Sequence, residues 1–555
     1  MFYSLLTVLS FFALHASDDE ITKSRILYLL KTGKEELAFS LYHDYHDKKG
    51  VHDAELLEQI AVLLIEQGFY SENQEANVLA LFGAGISMNE KMLDILKLGI
   101  KSPSPEIQLI SLNFLSRLHH EESYLAINRA LGSNYLGIRL EAAFRLAAEK
   151  NPKITAQIES LMCKLPLKLL PLFPQFFGLI GTQDAMKMLE KLLNHPDEKV
   201  RAAAIKSAAD YERDDLLPAI RLLATHSNVL EQEASCYAFL KMKDEASIPR
   251  LKELSSSSQP SVRLIALAAL HHLGDKTAQK EIEEMAKNLN LYAIFLLSEI
   301  KGSEDLLQTL SSHGQLNVRI NALFSLVKLK NESAYPGVME ILMRDKRDLA
   351  FLEMSSIGGA LKYLKAVPSA SQNEQEDGLL HESTLHFREE VLTLCLQFPE
   401  REFLKIAKSL FDNNQNELVP LLVLMLENIA SDDAIALLKL GHQKAGAPLI
   451  RNYCNLSLFR LGEEGSYEEN LKQFILQEYK ADLIQFRPLL PFEMRKTNSN
   501  YQLTPHDTSR LLVEAFEAIA CRQDKAGINL LLYAICHGNQ KNKYALAGLL
   551  MHAAR

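Results

Sequence analysis

Apolar and polar positions alternate along most of this chain with the period of a helix, and the pattern itself returns about every 31 residues. The clearest copy is HPDEKVRAAAIKSAAD, residues 195–210: a proline turn, then Val200-Arg201, Ala204 and Ala208. Counted from Val200 as offset zero, the rule is aliphatic at zero, often Arg at one, small at four and apolar at eight. Ile138-Arg139 opens IRLEAAFRL, Val262-Arg263 opens VRLIALAAL and Val318-Arg319 opens VRINALFSL. Weaker copies begin at Ile107, Leu230, Leu289 and Ile450, and LLPLFPQFF from Leu169 fills the double gap between 138 and 200. Near Leu349 and Leu418 the spacing persists while most of the motif is lost.

Each unit holds a second amphipathic stretch. TQDAMKMLEKLLNH (182–195) places Ala185, Met188, Leu189, Leu192 and Leu193 at helical spacing. A repeat is therefore helix A, a tight turn, helix B and a link to the next helix A. Turn residues such as Pro196-Asp197 and Gln259-Pro260 precede helix B, where Asp suits an N-cap and Pro the first turn. Offset four is Ala142, Ala204, Ala234, Ala266, Ala293 and Ala322. A helix that packs on its partner and on both neighbours needs one point of close approach, and a small side chain supplies it.

HPDEKVRAAAIKSAA, QPSVRLIALAALHHLGD and QLNVRINALFSLVKL resemble the HEAT-repeat family, in its short variant related to the repeats of phycobilin lyases. The resemblance is good over 100–345 and poor over 346–466. It implies an all-α, right-handed superhelical solenoid of antiparallel helix pairs. It also implies a ladder in which a turn Asp and the helix-B Arg stack along the array. Arg139, Arg201, Arg263, Arg319 and Arg451 stand at the Arg position. Asp197 fits the acidic position, whereas Gln259 and Gln315 replace it elsewhere.

Outside the array, residues 18–100 read as an N-terminal helical cap and 467–555 as a C-terminal one, since end repeats depart from the common pattern. Between 101–345 and the end, 346–466 reads as degenerate repeats interrupted by a polar loop at 366–386. Residues 486–508, with three prolines, read as irregular. Residues 1–17 have the apolar run of a secretory signal, without a basic residue before it, and Ala16-Ser17 as small residues at a cleavage site. The expectation is export to a periplasm or medium; a cytosolic chain is the alternative.

Composition narrows the function classes. The net charge of −10 and the absence of a long basic stripe argue against nucleic-acid binding, which depends on neutralised phosphates. Six cysteines include no C-x-x-C pair, and Cys236 and Cys454 fall in apolar helical stretches, as small buried hydrophobes do. GAGISM (83–88) lacks the third glycine of a dinucleotide loop and sits among helices. HESTLH places His381 and His386 five residues apart, one more than the zinc-helix motif needs. No cofactor or metal is expected. What remains is the outer side of helix B, offsets two, six and nine, with Leu109, Leu140, Phe144, Leu264, Phe295, Ile320 and Phe324. This stripe is either core between stacked helices or the lining of a concave groove that takes an apolar helix or peptide of a partner protein. The expected function is a non-enzymatic, exported scaffold or adaptor. The alternatives are a HEAT-fold enzyme, like a bilin lyase or a metal-dependent hydroxylase, with the groove as cofactor pocket, and a cytosolic assembly factor.

Overall fold

The structure is a computed structural model, and it describes residues 18–150, 152–343, 349–368, 374–444, 446–484 and 505–554. Helix pairs succeed one another as the 31-residue pattern predicts. Gln183–Leu193 is followed by Glu198–Asp210, Leu217–Leu223 by Val229–Lys241, and Ile248–Leu254 by Pro260–His272. Lys276–Lys287 with Leu291–Leu296 and Glu304–Leu310 with Leu316–Lys328 continue the series. The starts of the second helices follow local chemistry. The Asp197 carboxylate accepts from Lys199 N at 2.8 Å, Asn228 Oδ1 accepts from Leu230 N at 2.9 Å, and Pro260 sits in the first turn where no N–H partner is lost. Their ends share a device too. Glu212, Lys243, Gly274 and Lys330 adopt positive φ, so the last turn closes through a left-handed residue.

The repeated alanines lie where close approach requires them. Ala142, Ala204, Ala234, Ala266, Ala293 and Ala322 are all at most 1% exposed. Ala266→Leu would add three carbons to a closed contact and is expected to cost about 1–3 kcal/mol. Urea unfolding followed by circular dichroism checks this; an unchanged midpoint would mean that the contact yields freely.

Of the described residues, those up to Ala142 and those from Asn455 onward form one compact unit, and Ala143–Cys454 forms the other. The two stretches read from sequence as separate caps thus build one body. In it the C-terminal helix Lys543–Ala553 packs on Ala54–Phe69 and Gln74–Ile86. The glycines of GAGISM have their explanation here. A Cβ on Gly83 would lie 2.7 Å from the Tyr544 carbonyl carbon, and one on Gly85 would enter the Phe114 ring. Gly548 faces Gly83 in turn, so the two helices touch backbone to backbone. Lys543 Nζ to Glu35 Oε1 and Lys541 Nζ to Glu75 Oε1, both 2.8 Å, flank the contact.

In the second unit, the stretch after Met343 departs from the expected repeats. Leu349–Ser355 is a strand, β1, paired antiparallel with Lys362–Pro368, β2, in the register Phe351↔Ala366 and Glu353↔Leu364. The residues around Leu349 are thus no degenerate helix. The predicted polar loop at 366–386 is corrected as well: 366–368 ends β2 and Glu374–Leu394 is a helix. The run of acidic, hydroxyl and amide residues in the sequence hid that helix, whose later part buries Val391 and Leu392. Of the predicted irregular segment, 505–508 begins the helix Pro505–Arg522, and 486–504 falls outside the described residues, as does the predicted signal at 1–17.

Candidate protein-binding face

In the second unit the second helices of successive pairs pack on one another, and the hairpin lies on them. β2 runs against Leu291–Leu296 and Leu316–Lys328, while β1 meets Glu374–Leu394. The attachments are mainly to backbone. Asn321 Nδ2 donates to Leu364 O and Asn321 Oδ1 accepts from Leu364 N, each at 2.7 Å. One turn earlier, Asn317 Oδ1 accepts from Ala366 N at 2.8 Å. The match is metric. Residues four apart on a helix rise about 6 Å, and residues two apart on a strand advance about 6.7 Å. Two asparagines one turn apart therefore meet alternate residues of a strand, and β2 runs antiparallel to its helix.

At the hairpin's tip the Glu233 carboxylate, fully buried, accepts from Ser356 Oγ and from Ala360 N, the latter at 3.1 Å. Its Oε2 is buried with no hydrogen-bond partner. Lys206 Nζ donates to Gly359 O at 3.1 Å. Aromatic rings complete the seat. Tyr292 meets Tyr363 edge to face at 4.8 Å, and Phe295, Phe324, Phe387 and Phe351 form a chain of rings with centroids 5.0–5.9 Å apart.

The seven residues of the predicted apolar stripe fall into different surroundings. Leu264, Ile320 and Phe324 are at most 2% exposed, and Phe295 is half-buried. For Phe324 the cover is the Phe387 ring from the helix that follows the hairpin. Leu140 is half-buried, while Leu109 and Phe144 stay open at 47% and 49%. Sequence reasoning missed the polar members of the seat. Glu233, Tyr292 and Asn321 all occupy offset three, beside the close-approach alanine. A polar residue at that offset was the available signal.

The expected ladder takes another form. Asp197 caps its own helix, and Arg201 turns elsewhere: Nη1 donates to His195 O and Pro196 O at 2.6 and 2.7 Å, and Nε to Glu231 Oε1 at 2.9 Å. Arg201 thus binds its own turn to the next second helix, through a carboxylate at offset one of that repeat. Arg319 repeats the arrangement loosely, reaching His313 O at 3.4 Å and Glu340 Oε1 at 3.2 Å. Arg263 and Arg451 are exposed and Arg139 is half-buried. With Gln at the acidic position, a continuous stack has no partner to run through.

The first unit holds a polar cluster beside a cavity of about 340 Å³ lined by Val51, His52, Leu57, Lys525 and Ile528 among others. The His46 and His52 rings stack at 4.1 Å, and His52 Nδ1 lies 2.9 Å from Tyr42 Oη. Burial first, then the His46 ring, lowers the His52 imidazole to about 4. Its folded value therefore lies below the unfolded value of about 6.5. Between the two, the unfolded chain binds the extra proton, so stability is full above about pH 6.5 and falls as pH drops toward 4. A hydrogen bond with the Lys525 backbone opposes this shift, while the Lys525 and His43 charges add to it. Thermal midpoints are expected to fall from pH 7 to pH 4.5, less steeply in His52→Gln; equal slopes would remove His52 as the cause.

Among the described residues, no group of three or more His, Cys, Asp or Glu is placed to hold a metal ion, and no helix is long and apolar enough to cross a membrane. All six cysteines are free thiols. Cys236 and Cys454 are fully buried, and burial pushes both thiols up.

Residues 185–271 match the family model of HEAT repeats. None of the curated proteins matches the chain significantly. Among solved structures, the CpcE–CpcF complex of phycocyanin lyase from Nostoc is 16% identical over 44% of this chain and 91% of that one, with a TM-score of 0.26. Kap121p bound to Ste12p is 11% identical over 93% of this chain and 62% of that one, with a TM-score of 0.38. UNC-45 from Drosophila melanogaster is 12% identical over 96% and 88%, with a TM-score of 0.34. At these values the likenesses carry no argument about activity or partner. The family match places HEAT repeats at residues 185–271.

Proposed function

We propose that this HEAT-repeat chain is a non-enzymatic scaffold or adaptor that binds another protein along the face made by its second helices. One observation supports this most. That face already holds a polypeptide, the hairpin, by side chains that recognise main chain, so its chemistry is that of a peptide-binding surface. Leu140, half-buried, and Phe144, 49% exposed, lie one turn apart on Leu136–Ala148 at the repeat offsets of Ile320 and Phe324. A partly exposed apolar pair is what a partner's side chains would cover.

Affinity capture from the native source, with wild type beside Leu140→Glu/Phe144→Glu, tests the reading. Wild type is expected to retain a partner that the variant loses while its melting curve is unchanged. Identical capture by both proteins would overturn the placement of the binding face. For residues 1–17 the proposal remains an export signal. N-terminal sequencing of the mature protein decides it, since a chain that begins at Met1 would point to the cytosol.

A further inference from the structure

We propose that the seat of β2 is a binding site for an extended segment of a partner protein, and that the hairpin at 349–368 holds it as an intramolecular occupant that such a segment replaces. The inference rests on the scaffold reading and names the partner's chemistry: a β-strand with an aliphatic residue where Leu364 sits and a small one where Ala366 sits. Four observations converge on it.

The seat reads main chain. Asn321 gives a donor and an acceptor to one residue, and Asn317 an acceptor to the residue two further on. Every non-proline residue carries these groups, so any strand in this register satisfies them. The pair selects conformation, because an extended chain offers free N–H and C=O groups about 6.7 Å apart. A helix would not fit the same pair, since its N–H and C=O groups are bonded internally.

Side-chain selection is confined to few positions. Leu364 is the buried side chain of β2 and Tyr363 meets Tyr292, whereas Lys362 and Lys365 are exposed. A replacing strand therefore needs an aliphatic anchor, gains from an aromatic residue just before it, and tolerates charge at the flanking positions.

The edge bonded to asparagine is the one β1 does not use. In an antiparallel pair, alternate residues direct N–H and C=O away from the partner strand. The bonds of Leu364 and Ala366 to asparagine show that they point outward here. A lone incoming strand can thus make the seat's contacts without β1.

The hairpin has a separate fastening at its tip. Ser356 Oγ donates to Glu233, which keeps an unpartnered oxygen in the protein interior. Ser356 belongs to the occupant and not to the seat of β2, so the occupant can be weakened without altering the seat. The tether gives the hairpin an effective concentration on the order of millimolar, against which a free segment must compete.

The probe is an acetylated, fluorescein-labelled peptide of residues 358–368, GGALKYLKAVP, titrated by anisotropy. It is offered to the intact chain, to Ser356→Ala, and to the full chain with 349–368 replaced by a Gly/Ser linker. The linker chain is expected to bind the peptide at least ~10-fold more tightly than the intact chain, as release from a tethered competitor predicts. Ser356→Ala is expected to fall between them, since a hydrogen bond to a charged group is worth about tenfold or more. Asn321→Ala in the linker chain, or a methyl group on the peptide's Leu364 nitrogen, is expected to abolish binding. Three results would overturn the proposal: no saturable binding to a folded linker chain, binding indifferent to Asn321 and to the N-methyl group, or a linker chain that unfolds together with a Ser356→Ala protein that binds no better than wild type. None of these would touch partner capture through Leu140 and Phe144, so failure here is distinguishable from failure of the scaffold reading.

Discussion

Gly83→Leu is expected to unfold the contact between the chain's N-terminal and C-terminal helices and to lower stability by about 3 kcal/mol or more, the upper end for overpacking. The clash is with backbone. The new Cβ would press on the Tyr544 carbonyl group, and Gly548, one turn further along the same helix, packs against the Gly83 carbonyl oxygen. A side chain in the way can rotate, but a carbonyl inside a helix cannot move without breaking its turn. Leucine's better helix propensity returns about 0.8–1 kcal/mol, which is too little to offset the clash. Because the chain has no Trp, circular dichroism is the direct readout, joined by protease cleavage within Lys543–Ala553. Gly137→Ala is the control. Its Cβ would meet nothing within 4 Å, and a neutral or slightly stabilising effect is expected. Equal behaviour of the two variants would show that Gly83 is not a close-approach point.

Asn321→Ala carries the second large expectation, a loss of about 2–4 kcal/mol with release of the hairpin. The substitution leaves Leu364 N–H and C=O buried without partners, and each such group costs about 1–3 kcal/mol. Alanine's helix propensity opposes this by only about 0.6 kcal/mol. The expected signature is local. Amide exchange should rise over Lys362–Pro368 and cleavage should appear within the hairpin, while Glu198–Asp210 keeps its protection. Asn413→Ala, which removes only an exposed bond to Ser409 O, is expected to stay within about 0.5 kcal/mol of wild type. A hairpin as well protected in Asn321→Ala as in wild type would mean that the asparagine does not hold it.

The helix pairs and the alanine contacts were legible because they are periodic. A buried position in a repeat recurs at the same offset, and six alanines at offset four are read as one constraint. The helix Glu374–Leu394 was misread for the converse reason. Its first half is polar, and only its second half carries the buried Val391 and Leu392. The hairpin was missed because a strand resting on helices follows no repeat, and seven residues are too few to show a period against it.

By itself the sequence determined the helix pairing, the places where second helices begin, and the small residues that let them approach. Local propensity and nearest-neighbour packing fix all of these. The tertiary structure alone decided which side chains of the second-helix face are open and which are covered. Phe324 and Phe144 occupy the same offset, yet one is buried and the other is half exposed. What differs is a segment far along the chain that folds back over one and not the other. Asn321 and Glu233 likewise become recognition groups only when a distant backbone reaches them, and no local pattern encodes that meeting.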